Sequence, residues 1–360
     1  MPRSDHDLAL STLCLVLATQ PEITEHAERI AFLRACPHEG LAEWYPKMLC
    51  QQPYKPRATL CEQAGLKLEE RIEGEFDLVL LMPERQKDQT LADLARGFDL
   101  LKPGGILCVA LHNDWGAKRF EKSVLAVAGG LDVVCKSHCR VFWSRKTDKL
   151  KTQVLNEWRG AADLRRGVND EFWTKPGLFS WNRVDDGSAL LVEQLPVDLA
   201  GVVADLGAGW GYLSHQILSR CPEVTTLDAY EADRDAVEAA RRNVGNVKAR
   251  ARTRVHWHDV TAGIEPRRYD VIVTNPPFHE GREPDPEIGM KFISAAACGL
   301  KPFGHLWLVA NRHLPYEALL EEAFDSVVKV TEERGYKVLR AGAPRHDLFF
   351  QKPRFKRGRR

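Results

Sequence analysis

The sequence repeats one pattern of apolar strands and helices in its two halves, and this repeat restricts the fold more than any other feature. Phe76–Leu81 is a mostly apolar run, and a helical stretch separates it from a second run at residues 106–111. Residues 269–273 and 306–310 stand in the same relation in the second half. Continuous apolar strands that alternate with helices are typical of a parallel sheet covered on both faces. The pattern therefore predicts an α/β fold in which one unit occurs twice.

A short motif with Lys, Pro and Gly precedes the second strand of each copy. Its two versions are Leu101-Lys-Pro-Gly-Gly105 and Leu300-Lys-Pro-Phe-Gly304. Because Pro and Gly commonly follow the end of a helix, the motif predicts a turn between helix and strand.

The length of 360 residues favours two domains. We expect one domain at residues 1–150 and a second at residues 165–345, followed by a basic tail at residues 346–360. Residues 146–169 are polar and rich in charge, which indicates a connector between the domains.

Composition excludes some classes of protein. Lys plus Arg number 51 and Asp plus Glu number 50, so a polyanionic partner must be sought in local patches. The nine cysteines are scattered and odd in number, which predicts reduced thiols in a cytoplasmic protein. The tightest group, Cys135-Lys-Ser-His-Cys139, has no second ligand pair nearby, so we expect no metal. The apolar run at residues 8–18 is too short to span a membrane and predicts a buried first helix.

A glycine-rich turn is the first sign of a ligand site. A short apolar strand ends at Asp205, and Gly207-Ala-Gly-Trp-Gly211 and a helix follow it. Glycines allow the backbone to turn sharply and to approach a ligand that faces the N-terminus of the helix. Such a turn can serve a dinucleotide or S-adenosylmethionine (SAM). The dinucleotide form usually spaces its third glycine one residue further along, so this version favours SAM.

Acidic residues end the next two predicted strands. Glu231 lies where a carboxylate can accept hydrogen bonds from both ribose hydroxyls of a nucleoside. Asp228 is a rival, but the alternation of the strand places it inside the sheet. Asp259 ends the third strand, where a carboxylate can receive the adenine amino group. We therefore expect Glu231 and Asp259 to bind the cofactor.

The most specific motif is Asn275-Pro276-Pro277-Phe278, which follows the strand Tyr269–Thr274. The nitrogen of an exocyclic amine or an amide is a poor nucleophile because its lone pair is delocalised. The Asn275 side-chain oxygen and the Pro276 carbonyl can accept the two amine hydrogens and direct the lone pair at a methyl donor. Phe278 can stack on a flat substrate, a contact that contributes about 1–3 kcal/mol per base. The motif therefore predicts methylation of a planar amine.

The first half differs where the chemistry is expected. It has Met82-Pro-Glu-Arg85 in place of the Asn-Pro-Pro-Phe motif, and residues 1–75 contain no matching glycine turn. We interpret it as a copy that has lost its active site. His279 follows the motif directly, and we expect it to contact substrate, because this chemistry seldom needs a general base.

With these residues the chain resembles the bacterial 16S ribosomal RNA guanine-N2 methyltransferases of the RsmC type. The resemblance covers nearly the whole length. It is carried by the glycine turn and by four further segments: Thr174-Lys-Pro-Gly-Leu-Phe-Ser180, Asp185-Asp-Gly-Ser188 with Leu190-Leu191, Asn275-Pro-Pro-Phe-His279, and Ala310-Asn-Arg-His-Leu-Pro-Tyr316. Two departures are Trp210, where the family commonly has Cys or a small residue, and Glu231, where it usually has Asp.

The resemblance implies two tandem class I, Rossmann-like SAM-dependent methyltransferase domains. Each has a mostly parallel sheet with a C-terminal antiparallel hairpin, and the N-terminal copy is degenerate. It implies SAM contacts at Asp205, Gly207, Gly209, Gly211, Glu231, Asp259, Phe179, Asp186 and Gly187. It implies amine binding at Asn275, Pro276, Pro277 and Phe278.

The expected partner is ribosomal RNA within a ribosomal subunit. We expect a cytoplasmic monomer that uses neither a metal nor a membrane. We expect substrate contacts at His279, Arg312, Lys352, Arg354, Lys356 and Arg357. Four alternatives stay open on the motifs alone. The acceptor can be a guanine of 23S RNA, or it can be adenine N6 or a protein glutamine. The chain can also be a non-enzymatic, RNA-binding assembly factor that retains a SAM site.

The basic end of the chain provides a test of RNA binding. Six of the nine residues from 352 to 360 are Lys or Arg. If all six contact single-stranded phosphates, they contribute about −4 to the slope of log affinity against log salt. Deletion of residues 352–360 is expected to flatten this slope in an RNA-binding titration and to leave SAM affinity intact. An unchanged slope would show that the tail does not contact phosphate.

Overall fold

The computed structural model of the protein describes residues 4–277 and 286–345. These residues divide into two compact units. The first unit ends at Leu164 and also contains Lys175–Gly177. The second unit contains Arg165–Thr174 and the chain from Leu178 onward.

The first unit is a sheet with helices on both faces. Its elements are α1 (Asp5–Thr19), β1 (Ile30–Leu33), β2 (Met48–Gln51), α2 (Lys55–Gln63), β3 (Phe76–Leu81), α3 (Lys87–Asp99), β4 (Leu101–His112), α4 (Ala117–Ala128), β5 (Asp132–Lys136), β6 (Cys139–Arg145) and α5 (Thr152–Arg159). The strand order is β2-β1-β3-β4-β6-β5. The pairs from β2 to β4 are parallel, and β6 is antiparallel to both of its neighbours.

The second unit begins with a small ribbon and continues into a larger sheet. Its elements are β7 (Arg165–Arg166), β8 (Trp173–Thr174), α6 (Asp186–Gln194), β9 (Gly201–Leu206), α7 (Tyr212–Arg220), β10 (Val224–Glu231), α8 (Arg234–Gly245), β11 (Arg252–Trp257), β12 (Tyr269–Thr274), α9 (Pro286–Gly299), β13 (Leu300–Asn311), α10 (Glu317–Ala323), β14 (Phe324–Glu333) and β15 (Tyr336–Pro344). The order of the large sheet is β11-β10-β9-β12-β13-β15-β14. Strands β11 to β13 run parallel, and β15 is antiparallel to β13 and β14.

The two large sheets have the same topology. Strands β2, β1, β3, β4, β6 and β5 match β10, β9, β12, β13, β15 and β14 in order and direction. Within the described residues, the counterpart of β11 is reduced to a single parallel bridge between Cys50 and Leu68. The predicted fold class is therefore confirmed, including the antiparallel hairpin that ends each sheet.

The central strands of each sheet are buried on both faces, which explains the continuous apolar strands in the sequence. In β1, Ile30 and Phe32 belong to one apolar cluster, and Ala31 and Leu33 belong to the cluster on the opposite face. Side chains alternate between the faces of a strand, so a strand covered on both sides must be apolar at every position.

Two local predictions were wrong. The Lys-Pro-x-Gly motifs are not turns between elements, because they lie inside β4 and β13 as bulges. Phe76 pairs with Leu101 and Leu78 pairs with Ile106, so the residues between Leu101 and Ile106 are extruded from the ladder. The segment expected to be a polar connector contains the helix α5, whose Leu155 and Trp158 are buried in the first unit.

A buried carboxylate joins β9 to α7 in the second unit. Gly211 is the N-cap of α7 and has no side chain to accept a hydrogen bond. The fully buried Asp205 replaces it, since its Oδ2 accepts from the Ser214 backbone nitrogen at 3.0 Å and from Ser214 Oγ at 2.7 Å. Burial raises the pKa of Asp205 to about 6, and the two bonds from Ser214 lower it only in part.

This pKa predicts how stability depends on pH. The folded protein keeps a proton on Asp205 that the unfolded chain releases, so the contribution of Asp205 to stability falls as the pH rises from about 4 to about 6. Between pH 4.5 and pH 7.5, the free energy of unfolding of the wild type should fall by about 2 kcal/mol relative to that of Asp205→Asn. Urea unfolding of both proteins at the two pH values measures this difference. A difference that stays constant with pH would contradict the assignment.

Candidate active site

A pocket in the second unit lies at the carboxyl ends of the central parallel strands, where α/β folds commonly bind ligands. It is formed by the turn after β9, the end of β12 and the segment that leads into α6. The residues that line it are Phe179, Ser180, Asp185, Ser188, Gly207, Ala208, Gly209, Trp210, Tyr212, Leu213 and Asn275.

The three glycines of the turn have positive φ, and their surroundings differ. A Cβ on Gly211 (φ +90°) would lie 3.1 Å from the Cα of Ala240, so this glycine allows α7 to pack closely on α8. A Cβ on Gly209 (φ +54°) would meet nothing within 4 Å. Gly209 therefore faces open space, as expected for backbone that is approached by a ligand.

Glu231 holds the turn in place. Its Oε2 accepts from the Gly209 backbone nitrogen at 2.8 Å, and its Oε1 accepts from the Asp233 backbone nitrogen at 2.8 Å. Burial raises the pKa of Glu231, and these backbone bonds act against that shift. The structure therefore brings Glu231, the residue predicted to bind ribose, next to the open face of the glycine turn.

The other two acids of these strands have different surroundings. Asp259 caps a short 3-10 helix, and its Oδ1 accepts from Thr261 N at 2.8 Å and Thr261 Oγ1 at 2.7 Å. Asp228 is buried and pairs with Arg254 at 2.6 Å and with Arg268 at 3.1 Å. Burial would raise the pKa of Asp228, but hydrogen bonds from His256 and the two arginines hold it well below its usual range. Asp228 therefore stabilises the sheet interior.

Asn275 is fixed by two acceptors. Its Nδ2 donates to Asp185 Oδ2 at 2.9 Å and to Ser188 Oγ at 2.8 Å. The glycine turn lies close to Asn275, since a Cβ on Gly207 would be 3.8 Å from the Asn275 carbonyl oxygen. The end of β12 is tied to β9, because Thr274 Oγ1 donates to the Leu206 carbonyl oxygen at 2.7 Å.

Trp210 supports one wall of the pocket, a role that the sequence did not predict. Its indole Nε1 donates to the carbonyl oxygen of Phe179 at 3.1 Å. Its ring packs against Phe172, and its carbonyl oxygen accepts from Asn243 Nδ2 at 2.7 Å. The bond from the indole fixes the backbone of Phe179, a residue that is 60% exposed at the pocket.

Some predicted site residues do not line this pocket. Asp186 is exposed in the first turn of α6, and Gly187 is buried where a Cβ would lie 2.8 Å from the Tyr336 ring. Arg312 is exposed, with its Nε 3.7 Å from Glu332 Oε1. Six residues of the predicted site lie outside the described residues: Phe278, His279, Lys352, Arg354, Lys356 and Arg357.

Asp185 and Ser188 stand at the pocket in place of Asp186 and Gly187. Asp185 is the N-cap of α6, and its Oδ2 accepts from the Ser188 backbone nitrogen at 2.9 Å. The signal was available, because an Asp followed by an apolar helical run is a common N-cap pattern.

Strand register identifies the matching positions of the first unit. Leu33 pairs with both Gln51 and Leu81, just as Leu206 pairs with both Tyr230 and Thr274. The residues that follow these strands therefore correspond. They are Arg34 for Gly207, Gln52 for Glu231 and Met82 for Asn275.

None of these three replacements preserves the chemistry of the second unit. Arg34 retains a positive φ of +54° but adds a long side chain, which binds Asp93 at 2.5 Å. Gln52 is buried and donates to the Ala35 carbonyl oxygen at 2.8 Å. Met82 is buried and has no amide oxygen to accept from an amine.

Two kinds of structural feature are absent from residues 4–277 and 286–345. In these ranges no helix has both the length and the apolar character needed to cross a membrane. The same part of the chain holds no group of three or more His, Cys, Asp or Glu side chains arranged to bind a metal ion.

Comparison with known proteins agrees with this geometry. The family model described as "Methyltransferase small domain" matches residues 169–340. Ribosomal RNA small subunit methyltransferase C of Shewanella halifaxensis is 32% identical over 83% of this chain and 86% of its own length. The chain belongs to the ribosomal RNA small subunit methyltransferase C family. The family's protein from Psychromonas ingrahamii is 28% identical over 74% of this chain and 76% of its own length.

A solved structure extends the likeness to both units. It is the T. thermophilus 16S rRNA N2 G1207 methyltransferase (RsmC), described in complex with AdoMet and guanosine. It is 26% identical, has a TM-score of 0.77 and covers 95% of this chain and 92% of its own.

The glycine turn provides a matched pair of variants. Gly209→Ala strains a left-handed backbone but places its methyl group in open space, so we expect a loss of stability of about 1–2 kcal/mol and a fall in SAM affinity of at least about tenfold, or about 1.4 kcal/mol. Gly211→Ala adds a 3.1 Å contact with the Cα of Ala240 to the same kind of strain, so we expect it to destabilise the fold by about 1–3 kcal/mol more than Gly209→Ala does. Calorimetric SAM titration and thermal unfolding of both variants measure these effects. Equal effects on SAM affinity and on Tm in both variants would contradict the assignment of Gly209 to ligand binding and of Gly211 to helix packing.

Proposed function

We propose that this protein transfers a methyl group from SAM to the exocyclic N2 amine of a guanine in 16S ribosomal RNA. The observation that carries the proposal is the fixed Asn275 amide beside an open glycine turn. Membership of the ribosomal RNA small subunit methyltransferase C family supports the same reaction. We assign the guanine that corresponds to G1207, the nucleotide in the description of the T. thermophilus relative.

The residues of the pocket fit the cofactor. Gly209 leaves room for a ligand, and the Glu231 carboxylate beside it can accept from ribose hydroxyls. The Asp259 carboxylate at the end of β11 can accept from the adenine amino group. SAM, when bound, supplies an electrophilic methyl group.

The residues after β12 prepare the amine. Asn275 Oδ1 and the Pro276 carbonyl oxygen accept the two hydrogens of the guanine amine, which orients the nitrogen lone pair. They also favour the tetrahedral nitrogen that forms as the methyl group is transferred. Phe278 stacks on the base, and His279 contacts the substrate. The released proton passes to water, so no general base is required.

The first unit serves in RNA docking and in support of the catalytic unit. The shared strand order supports its origin by tandem duplication, with residues 1–150 as the degenerate copy, 165–345 as the catalytic domain and 346–360 as a basic tail. The substitutions Arg34, Gln52 and Met82 support one SAM site per chain. The protein acts as a cytoplasmic monomer on RNA within a ribosomal subunit, with Arg312 and the basic tail as RNA contacts.

Asn275→Ala tests the mechanism. The variant loses the acceptor that orients the amine, so we expect methyl transfer to fall at least about 100-fold. Affinities for SAM and for RNA should change by less than about twofold. Labelled SAM and small ribosomal subunits from cells that lack the modification provide the assay, and mapping of the labelled base identifies the nucleotide.

Two outcomes would contradict the proposal. Label in adenine, in protein or in 23S RNA would favour one of the other acceptors. A wild-type protein that binds RNA and SAM but never forms product would favour the assembly factor.

A further inference from the structure

The hydrogen bonds of the Asn275 amide define its orientation. The Nδ2 group has two hydrogens, and Asp185 Oδ2 and Ser188 Oγ accept them at 2.9 and 2.8 Å. A carboxylate accepts hydrogen bonds and donates none. The amide therefore cannot be turned over to place its oxygen against Asp185, and the oxygen is held on the side away from both acceptors.

The acceptors themselves are fixed by the start of α6. The Asp185 oxygen that receives Asn275 also accepts from the Ser188 backbone nitrogen at 2.9 Å, as the N-cap of the helix. Ser188 is buried in the first turn of that helix. The position of the Asn275 side chain is therefore fixed by two residues, Asp185 and Ser188, that are themselves held at the start of α6.

Capping alone does not require a carboxylate at this position. Ser, Thr and Asn cap helices about as well as Asp does. The feature that distinguishes Asp185 from these alternatives is its contact with Asn275 through a group that only accepts. Asp185, Ser188 and Asn275 all line the pocket, so the contact is made where the proposed function places the substrate amine.

We infer that Asp185 and Ser188 are positioning residues for methyl transfer, which direct Asn275 Oδ1 at the substrate amine and make Asn, not Asp, the residue that fits at position 275. The inference rests on the proposed function. A misplacement of about 1 Å or a wrongly oriented acceptor can lower a rate about 100-fold. The two residues act through Asn275 and need not touch the substrate themselves.

The first test separates positioning from capping. In Asp185→Ser the hydroxyl can still cap α6, but it ends short of the Asn275 amide. We expect kcat to fall about 10- to 100-fold, with KM for the subunit, SAM affinity and Tm little changed. Glu193→Gln is the matched control, because it removes an exposed negative charge from the same helix, where Glu193 pairs with Arg334. It should leave kcat unchanged.

The second test exchanges the carboxylate of Asp185 and the amide of Asn275 between the two positions. In Asn275→Asp two carboxylates face each other across the 2.9 Å contact, so we expect kcat to fall at least about 100-fold at pH 8. Adding Asp185→Asn to that variant supplies an amide that can donate to the new carboxylate. The kcat of the double variant should be at least about tenfold higher than that of Asn275→Asp. A purely structural role for Asp185 would not produce this recovery.

A third measurement does not depend on the substrate. In protein labelled with 15N-asparagine, the side-chain signals of Asn275 are those that disappear in Asn275→Ala. Asp185→Ser should shift these signals and speed their hydrogen exchange, and Glu193→Gln should not. This result would stand even if the protein methylated another acceptor, so it separates a failure of the inference from a failure of the proposed function.

Three results would overturn the inference. The first is a kcat for Asp185→Ser equal to that of Glu193→Gln. The second is a loss of SAM affinity in Asp185→Ser with kcat unchanged, which would make Asp185 a cofactor ligand. The third is a combination of two findings. The double variant Asn275→Asp with Asp185→Asn is no more active than Asn275→Asp alone, and the NMR signals of Asn275 do not change in Asp185→Ser.

Discussion

The parallel register of β10, β9 and β12 is the constraint on which the site depends. Leu206 pairs with Tyr230 on one side and with Thr274 on the other, so the three strands end at one level. The residues that follow are the glycine turn, Glu231 and Asn275. Three separate stretches of sequence thereby meet at one edge of the sheet, because parallel strands present their carboxyl ends there. The glycine turn and Asn275 line the pocket, and Glu231 holds the turn.

The first unit shows that this strand register does not depend on the polar residues that follow the strands. Leu33 pairs with the same two neighbours, and the backbone of Arg34 even keeps the positive φ of the glycine it replaces. The apolar faces of the strands stabilise the sheet, and they are conserved in pattern between the units. The polar residues beyond the strand ends contribute little to that packing, so one copy could lose them and still fold.

Much of the fold was predictable because it follows from patterns of short range. The strand Phe76–Leu81 was placed correctly, since its apolar run is bounded by turn residues. The predictions failed where distant residues decide the structure. The bulges in β4 and β13 depend on pairing with another strand, and α5 is helical while its Leu155 and Trp158 pack in a core that the local polar sequence does not reveal.

The sequence by itself determined the α/β class, the repeated unit of strands and helices, the glycine turn and the Asn-Pro-Pro-Phe motif, because each depends on residues that are neighbours in the chain. Only the tertiary structure decided how the motif is oriented. Asp185 and Asn275 are far apart in the chain, yet their side chains meet at 2.9 Å. Likewise, Trp210 in the turn fixes the backbone of Phe179. Such contacts depend on the packing of helices against the sheet edge, and no local pattern encodes that distance.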